Sequence, residues 1–211
     1  MKIILGSGSK WRKIILEKAG YDFALAGRNF MRQDPDVILL GEIRDEETAK
    51  IAIRASITGH LVITTLHTND AVTSIPRLID LKADKFLLSS SLLAIVSQRL
   101  LRKICNHCKT EYEYNADELA LFSEYGIDGI KAGYRGSGCP RCNGTGFAGR
   151  TIIGELLVVD NEIKDLIYTG ASAPAIQKRA VEKGMRPLKR HAMQKAANGI
   201  TTVSEVLRVA G

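Results

Sequence analysis

Two groups of residues in this chain have the types and spacing to do chemistry. The first is an acid and an imidazole placed just beyond two apolar runs. Val37-Ile38-Leu39-Leu40 leads to Glu42, and His60-Leu61-Val62-Ile63 leads to Thr64, Thr65 and His67. Short apolar runs without alternation read as strands buried on both faces, and open α/β sheets gather ligands at the carboxyl ends of such strands. A carboxylate delivered there can orient an attacking water or a hydrated magnesium beside a nucleoside triphosphate. The bland alternative makes Glu42 a capping carboxylate and His67 a polar strand-end residue. The second group is the full set of cysteines, Cys105-Asn106-His107-Cys108 and Cys139-Pro140-Arg141-Cys142, with thirty residues between the pairs. Two CxxC knuckles offer four thiolates to one tetrahedral zinc, closing a loop that has little apolar content of its own. A cytosolic dithiol or chance pairing is the competing reading. His107, inside the first knuckle, reads as a solvated or supporting residue rather than a ligand.

The elements that must position these groups follow from the surrounding pattern. Asp45 is a good N-cap for a helix over Glu46 to Thr58, whose apolar positions are Ala49, Ile51, Ala52, Ile53, Ala55 and Ile57, and Gly59 stops it. Asp70 to Leu81 and Phe86 to Leu101 read as two further helices, with Pro76 bending or restarting the first. The apolar face of the second, Leu87, Leu88, Leu92, Ile95, Val96 and Leu100, reads as core, because Ser89 to Ser91, Gln98 and Arg99 interrupt it. Downstream, Thr151 to Val159 is a strand candidate. Short helices follow: Asp160 caps Asn161 to Tyr168, Ser172 precedes a helix to Lys183, and Arg186 to Ala197 comes next. Thr202-Val203-Ser204-Glu205 has the spacing of a capping box for a last helix.

Composition fits a globular protein with one main core and a metal-bound annex. The net charge is +7, yet residues 1–33 hold seven Lys or Arg against two acids and so supply +5 of it. No basic face interleaved with aromatics accompanies that charge, which argues against a nucleic-acid binder. The apolar run Ile3 to Leu5 ends at once in Gly6 and Ser7, so neither a secretory signal nor a spanning segment is expected.

From residue 28 to residue 211 the pattern resembles the secretion ATPase superfamily, specifically the ATPases of type II secretion and type IV pilus assembly. Gly41-Glu42-Ile43-Arg44-Asp45 is similar to their Walker-B box, with glycine before the glutamate where aspartate is more general. Gly59-His60-Leu61-Val62 through Thr65-Leu66-His67-Thr68-Asn69 is similar to their His box, and Gly138-Cys139-Pro140-Arg141-Cys142-Asn143-Gly144-Thr145-Gly146-Phe147 to their zinc-bearing subdomain. The tetracysteine feature favours the assembly branch over the retraction-type relatives. The resemblance implies Glu42 as the catalytic carboxylate, His67 as a sensor linking phosphate state to movement, and Arg28 and Arg32 as charge stabilisers at a nucleotide or subunit boundary. It places Glu155 in a family segment leading into the helical tail. It further implies ATP and Mg2+ as cofactors beside structural Zn2+, a homo-hexamer or assembly with full-length ATPase subunits, inner-membrane platform proteins as partners, and a cytoplasmic location peripheral to that membrane. No direct insertion is implied.

The opening does not follow that pattern. The family's phosphate loop, Gly-x-x-x-x-Gly-Lys-Ser/Thr, finds only Leu5-Gly6-Ser7-Gly8-Ser9-Lys10-Trp11, where tryptophan follows the lysine. Roughly the first 23 residues, with Ser7-x-Ser9-x-x-Arg12 between a strand and a helix, instead resemble the start of the Maf family of nucleotide pyrophosphatases, whose later catalytic residues have no counterpart here. Lys2 to Leu5 as a strand, Gly6 to Ser9 as a loop with free amides and Trp11 to Ala19 as a helix could lie beside the Val37 strand and contact a phosphate through Gly6, Ser7, Gly8, Ser9 and Lys10. The expected fold is therefore α/β: a partial RecA-like three-layer core, a tetracysteine zinc subdomain and a helical C-terminal tail. Its expected segments are 1–27, 28–102, 103–150 and 151–211. Three functions are carried: a truncated motor ATPase, weak or inactive alone; a noncatalytic zinc-stabilised module of such a motor; and, last, a nucleotide pyrophosphatase.

Overall fold

The computed structural model describes residues 3–6, 14, 17–18, 23–25 and 35–211, with backbone alone for 3–6 and 23–25. In chain order the elements are β1 (Ile3–Gly6), β2 (Phe23–Leu25), β3 (Val37–Leu40), α1 (Glu46–Ile57), β4 (Leu61–Ile63), α2 (Ser74–Asp80), α3 (Lys85–Ser91), β5 (Ala94–Ile104), β6 (Lys109–Glu113), α4 (Ala116–Glu124), β7 (Ala132–Gly136), β8 (Phe147–Val158), α5 (Asn161–Thr169), α6 (Ala173–Glu182), α7 (Leu188–Ala197) and α8 (Val203–Ala210). They divide into two compact units, Met1–Ile95 with Val158–Arg179, and Val96–Leu157 with Ala180–Gly211. Among the described residues, no helix is long and apolar enough to cross a membrane.

The first unit is built on a four-stranded parallel sheet of order β2-β1-β3-β4. The opening strand does lie beside β3, with Ile3 level with Val37 and Gly6 level with Leu40. Val37 and Ile38 are buried, as an apolar run in a parallel sheet requires. β4 departs from the expectation of a second buried strand, because Leu61 and Ile63 are exposed. It is last in the strand order, and one of its faces is left uncovered. Helix α1 starts where Asp45 accepts a hydrogen bond from Thr48 N at 2.8 Å, carries Glu46 and Glu47 in its first turn, and buries Ala49, Ala52, Ile53 and Ala55. Gly59, at φ +96°, takes the left-handed turn that ends it.

The expected helix over Asp70 to Leu81 begins only at Ser74, because Asp70 folds a turn in which its Oδ1 accepts from Thr73 N at 2.7 Å. Pro76 falls in the first helical turn, where a missing N–H costs nothing. The segment expected as one helix over Phe86 to Leu101 is instead a short helix followed by a strand. Asp84 caps α3, but at Leu92 the backbone becomes extended and the chain continues as β5. In β5 the partly covered positions Ile95, Ser97 and Arg99 alternate with exposed Val96, Gln98 and Leu100, a period of two rather than 3.6.

In the second unit β5 pairs with β8, and β6 pairs antiparallel with β7. Its core joins Leu101 and Ile153 from the ribbon, Tyr114 and Phe122, and Leu188, Ala192, Met193, Ala196, Val203 and Val206 from the last two helices. Helix α4 has a complete capping box, Asn115 Oδ1 accepting from Glu118 N at 2.9 Å while Glu118 Oε2 accepts from Asn115 N at 3.1 Å. The expected box at Thr202 and Glu205 is only half made. Thr202 Oγ1 accepts from Glu205 N at 3.2 Å, but the Glu205 carboxylate is taken up by Arg102 and Arg208.

Candidate functional site

Parallel pairing puts the carboxyl ends of β1, β3 and β4 along one edge of the sheet. Beyond β3 the chain is held by its neighbour: Thr65 Oγ1 donates to Gly41 O at 2.8 Å, and Thr65 O accepts from Ile43 N at 3.0 Å. These two bonds clamp the backbone on either side of Glu42. Its Oε1 pairs with Arg44 at 2.6 Å, and its Oε2 approaches His67 Nε2 to 3.0 Å. The second approach is a close charge contact rather than an aligned hydrogen bond, for Oε2 is buried with no hydrogen-bond partner. The hydrogen bond from Arg44 holds the Glu42 carboxyl below its ordinary range, with burial working against it and the imidazole adding to it. The group therefore stays ionised at neutral pH and can accept a proton. Glu42 is largely covered, its side chain 27% exposed, whereas His67 at 88% stands in solvent and is free to respond to an arriving anion.

Glu42 and His67, read separately from the sequence, are thus brought together. Arg44 was not among the expected site residues. Its signal was its place two residues after Glu42, within reach of that carboxylate for a long guanidinium side chain. Gly6 ends β1 at this same edge, level with Leu40. Ser7, Gly8, Ser9, Lys10, Arg28 and Arg32 lie outside the described residues.

The four cysteines form the second constellation. Their Sγ atoms all lie within 4.8 Å of one another, with separations of 3.9 Å for Cys105 to Cys139, 3.8 Å for Cys108 to Cys142 and 3.7 Å for Cys139 to Cys142. A tetrahedron with metal–sulfur bonds of 2.3 Å has edges of about 3.8 Å, so the sulfurs already stand at coordination spacing, far from a disulfide's ~2.05 Å. The donor set therefore fits a thiophilic metal ion. Burial opposes ionisation of Cys142, but the amides of Cys139 and Gly146, donating to its sulfur at 3.2 and 3.3 Å, bring it down to about 6. Cys108, mainly through burial, is pushed up to about 11. His107 is exposed and faces Arg141 instead of the sulfurs, with the nearer contact at 2.6 Å.

Close backbone approach holds this knuckle. A Cβ on Gly136 would stand 2.1 Å from Gly146 O, and one on Gly138 would stand 2.8 Å from Gly144 O. Two buried acids do structural work nearby in the same unit. Glu155 accepts from Leu188 N at 2.8 Å and so caps α7, while Glu205, its side chain 0% exposed, receives the Arg102 amide and guanidinium and the Arg208 guanidinium. Burial opposes its charge, yet these donors bring its pKa down to about 2.

Comparison with known proteins agrees with this geometry. A family model described as type II/IV secretion system protein matches residues 9–208. A type IV pilus assembly ATPase, PilB of Thermus thermophilus, is 51% identical over 90% of this chain and 22% of its own length. A type II secretion system ATPase E of Vibrio cholerae is 46% identical over 89% of this chain and 37% of its own. This chain therefore spans well under half the length of these relatives. In fold it is similar to the ATPase DotB of Legionella pneumophila (TM-score 0.64, 19% identity, 99% of this chain and 51% of that one) and to the pilus retraction motor PilT (TM-score 0.62, 22% identity, 99% and 60%). The family match begins at residue 9 rather than residue 28, inside the opening that resembled a pyrophosphatase, and that second resemblance gains no support from these relatives. The chain belongs to the type II/IV secretion system protein family, among relatives named as secretion and pilus-assembly ATPases.

Proposed function

We propose that this chain carries the hydrolytic edge of a RecA-like motor that drives type II secretion or type IV pilus assembly, with residues 28–102 as the core segment and 103–150 as a zinc-bearing annex. The observation that supports it most is the meeting of Glu42 Oε2 and His67 Nε2 at 3.0 Å beyond two parallel strands. In this reading Glu42 accepts a proton from the water that attacks the terminal phosphorus of ATP. A bond forms from water oxygen to phosphorus, the bond to the bridging oxygen breaks, and ADP leaves. Magnesium, when bound, neutralises charge on the phosphates. The exposed imidazole of His67 meets the phosphate that is made or lost, and Arg44 holds Glu42 ionised and aimed. Gly6, Ser7, Gly8, Ser9 and Lys10 are the proposed phosphate contacts, and Arg28 and Arg32 the boundary cations. In the annex, zinc is the proposed metal because four thiolates at tetrahedral spacing suit it. The proposed assembly is a ring of such subunits on an inner-membrane platform.

The test is magnesium-dependent phosphate release from ATP, lowered about a hundredfold in Glu42→Gln. A second reading, a noncatalytic zinc-stabilised module of the motor, is favoured by Trp11 standing after Lys10 where the phosphate loop needs Ser or Thr. It predicts no release above background and the same zinc content in both proteins.

A further inference from the structure

Among the described residues, only two side-chain atoms are buried without any hydrogen-bond partner: Glu42 Oε2 and Thr64 Oγ1. Both belong to the same sheet edge. Leu39 is level with Ile63, so the next residues, Leu40 and Thr64, leave β3 and β4 together. Thr65, immediately after Thr64, bonds to Gly41 O and to Ile43 N, the neighbours of Glu42 on either side. The hydroxyls along this segment differ. Thr65 spends its own on the Gly41 carbonyl, and Thr68 spends its own on Ser74 Oγ at 2.8 Å. A buried hydroxyl with no protein partner is costly to keep unless something else occupies it, and strand ends in parallel sheets are where ligands bind.

We propose that Thr64 is a further residue of this site and that its hydroxyl and Glu42 Oε2 hold one and the same water, the one that attacks the nucleotide. Glu42 Oε2 accepts one O–H of that water and Thr64 Oγ1 accepts the other, which leaves a lone pair directed at phosphorus. A single acceptor would let the water turn; two fix it. The inference rests on the hydrolytic reading given above and adds to it a residue that contacts the nucleophile.

The test compares Thr64→Val, which keeps the shape and removes the hydroxyl, with Thr64→Ser, which keeps the hydroxyl. Two measurements are made on the full chain: melting without nucleotide, and phosphate release from Mg-ATP. Thr64→Val is expected to melt about 2–4 °C higher, because an unsatisfied hydroxyl has gone. Its kcat is expected to fall about tenfold or more, with KM within twofold, and Thr64→Ser restores both. On a Glu42→Gln background, Thr64→Val brings no further loss, since the shared water is already unheld. An active parent with unchanged kcat in Thr64→Val overturns the role of Thr64 alone. A lower melting temperature in Thr64→Val, or additive losses in the double variant, also overturns it by showing a structural or separate hydroxyl. A parent that releases no phosphate from Mg-ATP overturns the hydrolytic reading, and this inference with it.

Discussion

The sheet edge around Glu42 and the cysteine knuckle are built on opposite plans. At the knuckle, backbone meets backbone: Gly136 leaves no room for a Cβ against Gly146, and amides of Cys139 and Gly146 point at one sulfur. The chain assembles that donor set from its own residues. At the sheet edge, strand ends and one threonine clamp fix the backbone, but Glu42 and Thr64 keep buried oxygens without hydrogen bonds and His67 stands almost free in solvent. A structural site closes on itself, whereas a reactive one must leave groups unspent for what arrives. Charge shows the same contrast. Glu205, enclosed by Arg102 and Arg208, is fully committed, while Glu42 keeps one oxygen without a hydrogen bond.

Perturbing each plan sharpens the contrast, and the largest effect is expected at the four cysteines, where zinc is the proposed metal. Chelation, or Cys142→Ser, is expected to remove one zinc per chain and to cost about 5 kcal/mol or more of stability in the second unit, read as metal content together with melting. Full retention of melting after complete metal loss would remove the structural role. Next, Glu205→Ala breaks a buried ion cluster and is expected to cost about 3 kcal/mol in denaturant unfolding. The parent's pH dependence has a definite sign. The Glu205 carboxyl sits at about 2 when folded, against an ordinary 4.5 in the unfolded chain, so its contribution is fully present above 4.5 and is lost as pH falls toward about 2. Stability flat across that window would contradict the cluster. Glu42→Gln is expected to lower phosphate release about a hundredfold while moving stability by less than about 0.5 kcal/mol, because the residue lies at an open edge. The smallest effect separates two glycines. Gly136→Ala is expected to cost about 2 kcal/mol from overpacking, but Gly149→Ala, with nothing near its would-be Cβ and φ +77°, about 1 kcal/mol from backbone strain alone. Equal costs would show that the close approach of Gly136 and Gly146 does not matter.

Local signals in the sequence succeeded where one interaction decides the outcome. Asp45 and Asp160 cap helices as their types and positions demand, and Gly59 ends α1 at a positive φ. The unread box Asn115-Ala116-Asp117-Glu118 was equally legible and would have announced α4. Where the outcome depended on a distant partner, local reading failed. Ser89 to Leu92 looks like helix continuing into Leu101, but β5 is a strand because β8, some fifty residues later, supplies its ladder. Glu205 likewise has the spacing to cap α8, yet Arg102, about a hundred residues earlier, takes its carboxylate.

The residues alone determined the chemistry on offer: four thiolates in paired knuckles, and a carboxylate and an imidazole each following an apolar run. That much is local, since knuckle spacing and strand ends are set by a few neighbouring residues. Only the tertiary structure decided that the four sulfurs stand at coordination distance, that Glu42 meets His67 and Arg44, and that Thr64 is left with a buried hydroxyl unspent. Those facts depend on parallel strand register in the sheet and on the β6–β7 pairing that carries two knuckles thirty-four residues apart into contact, and no local pattern encodes either one.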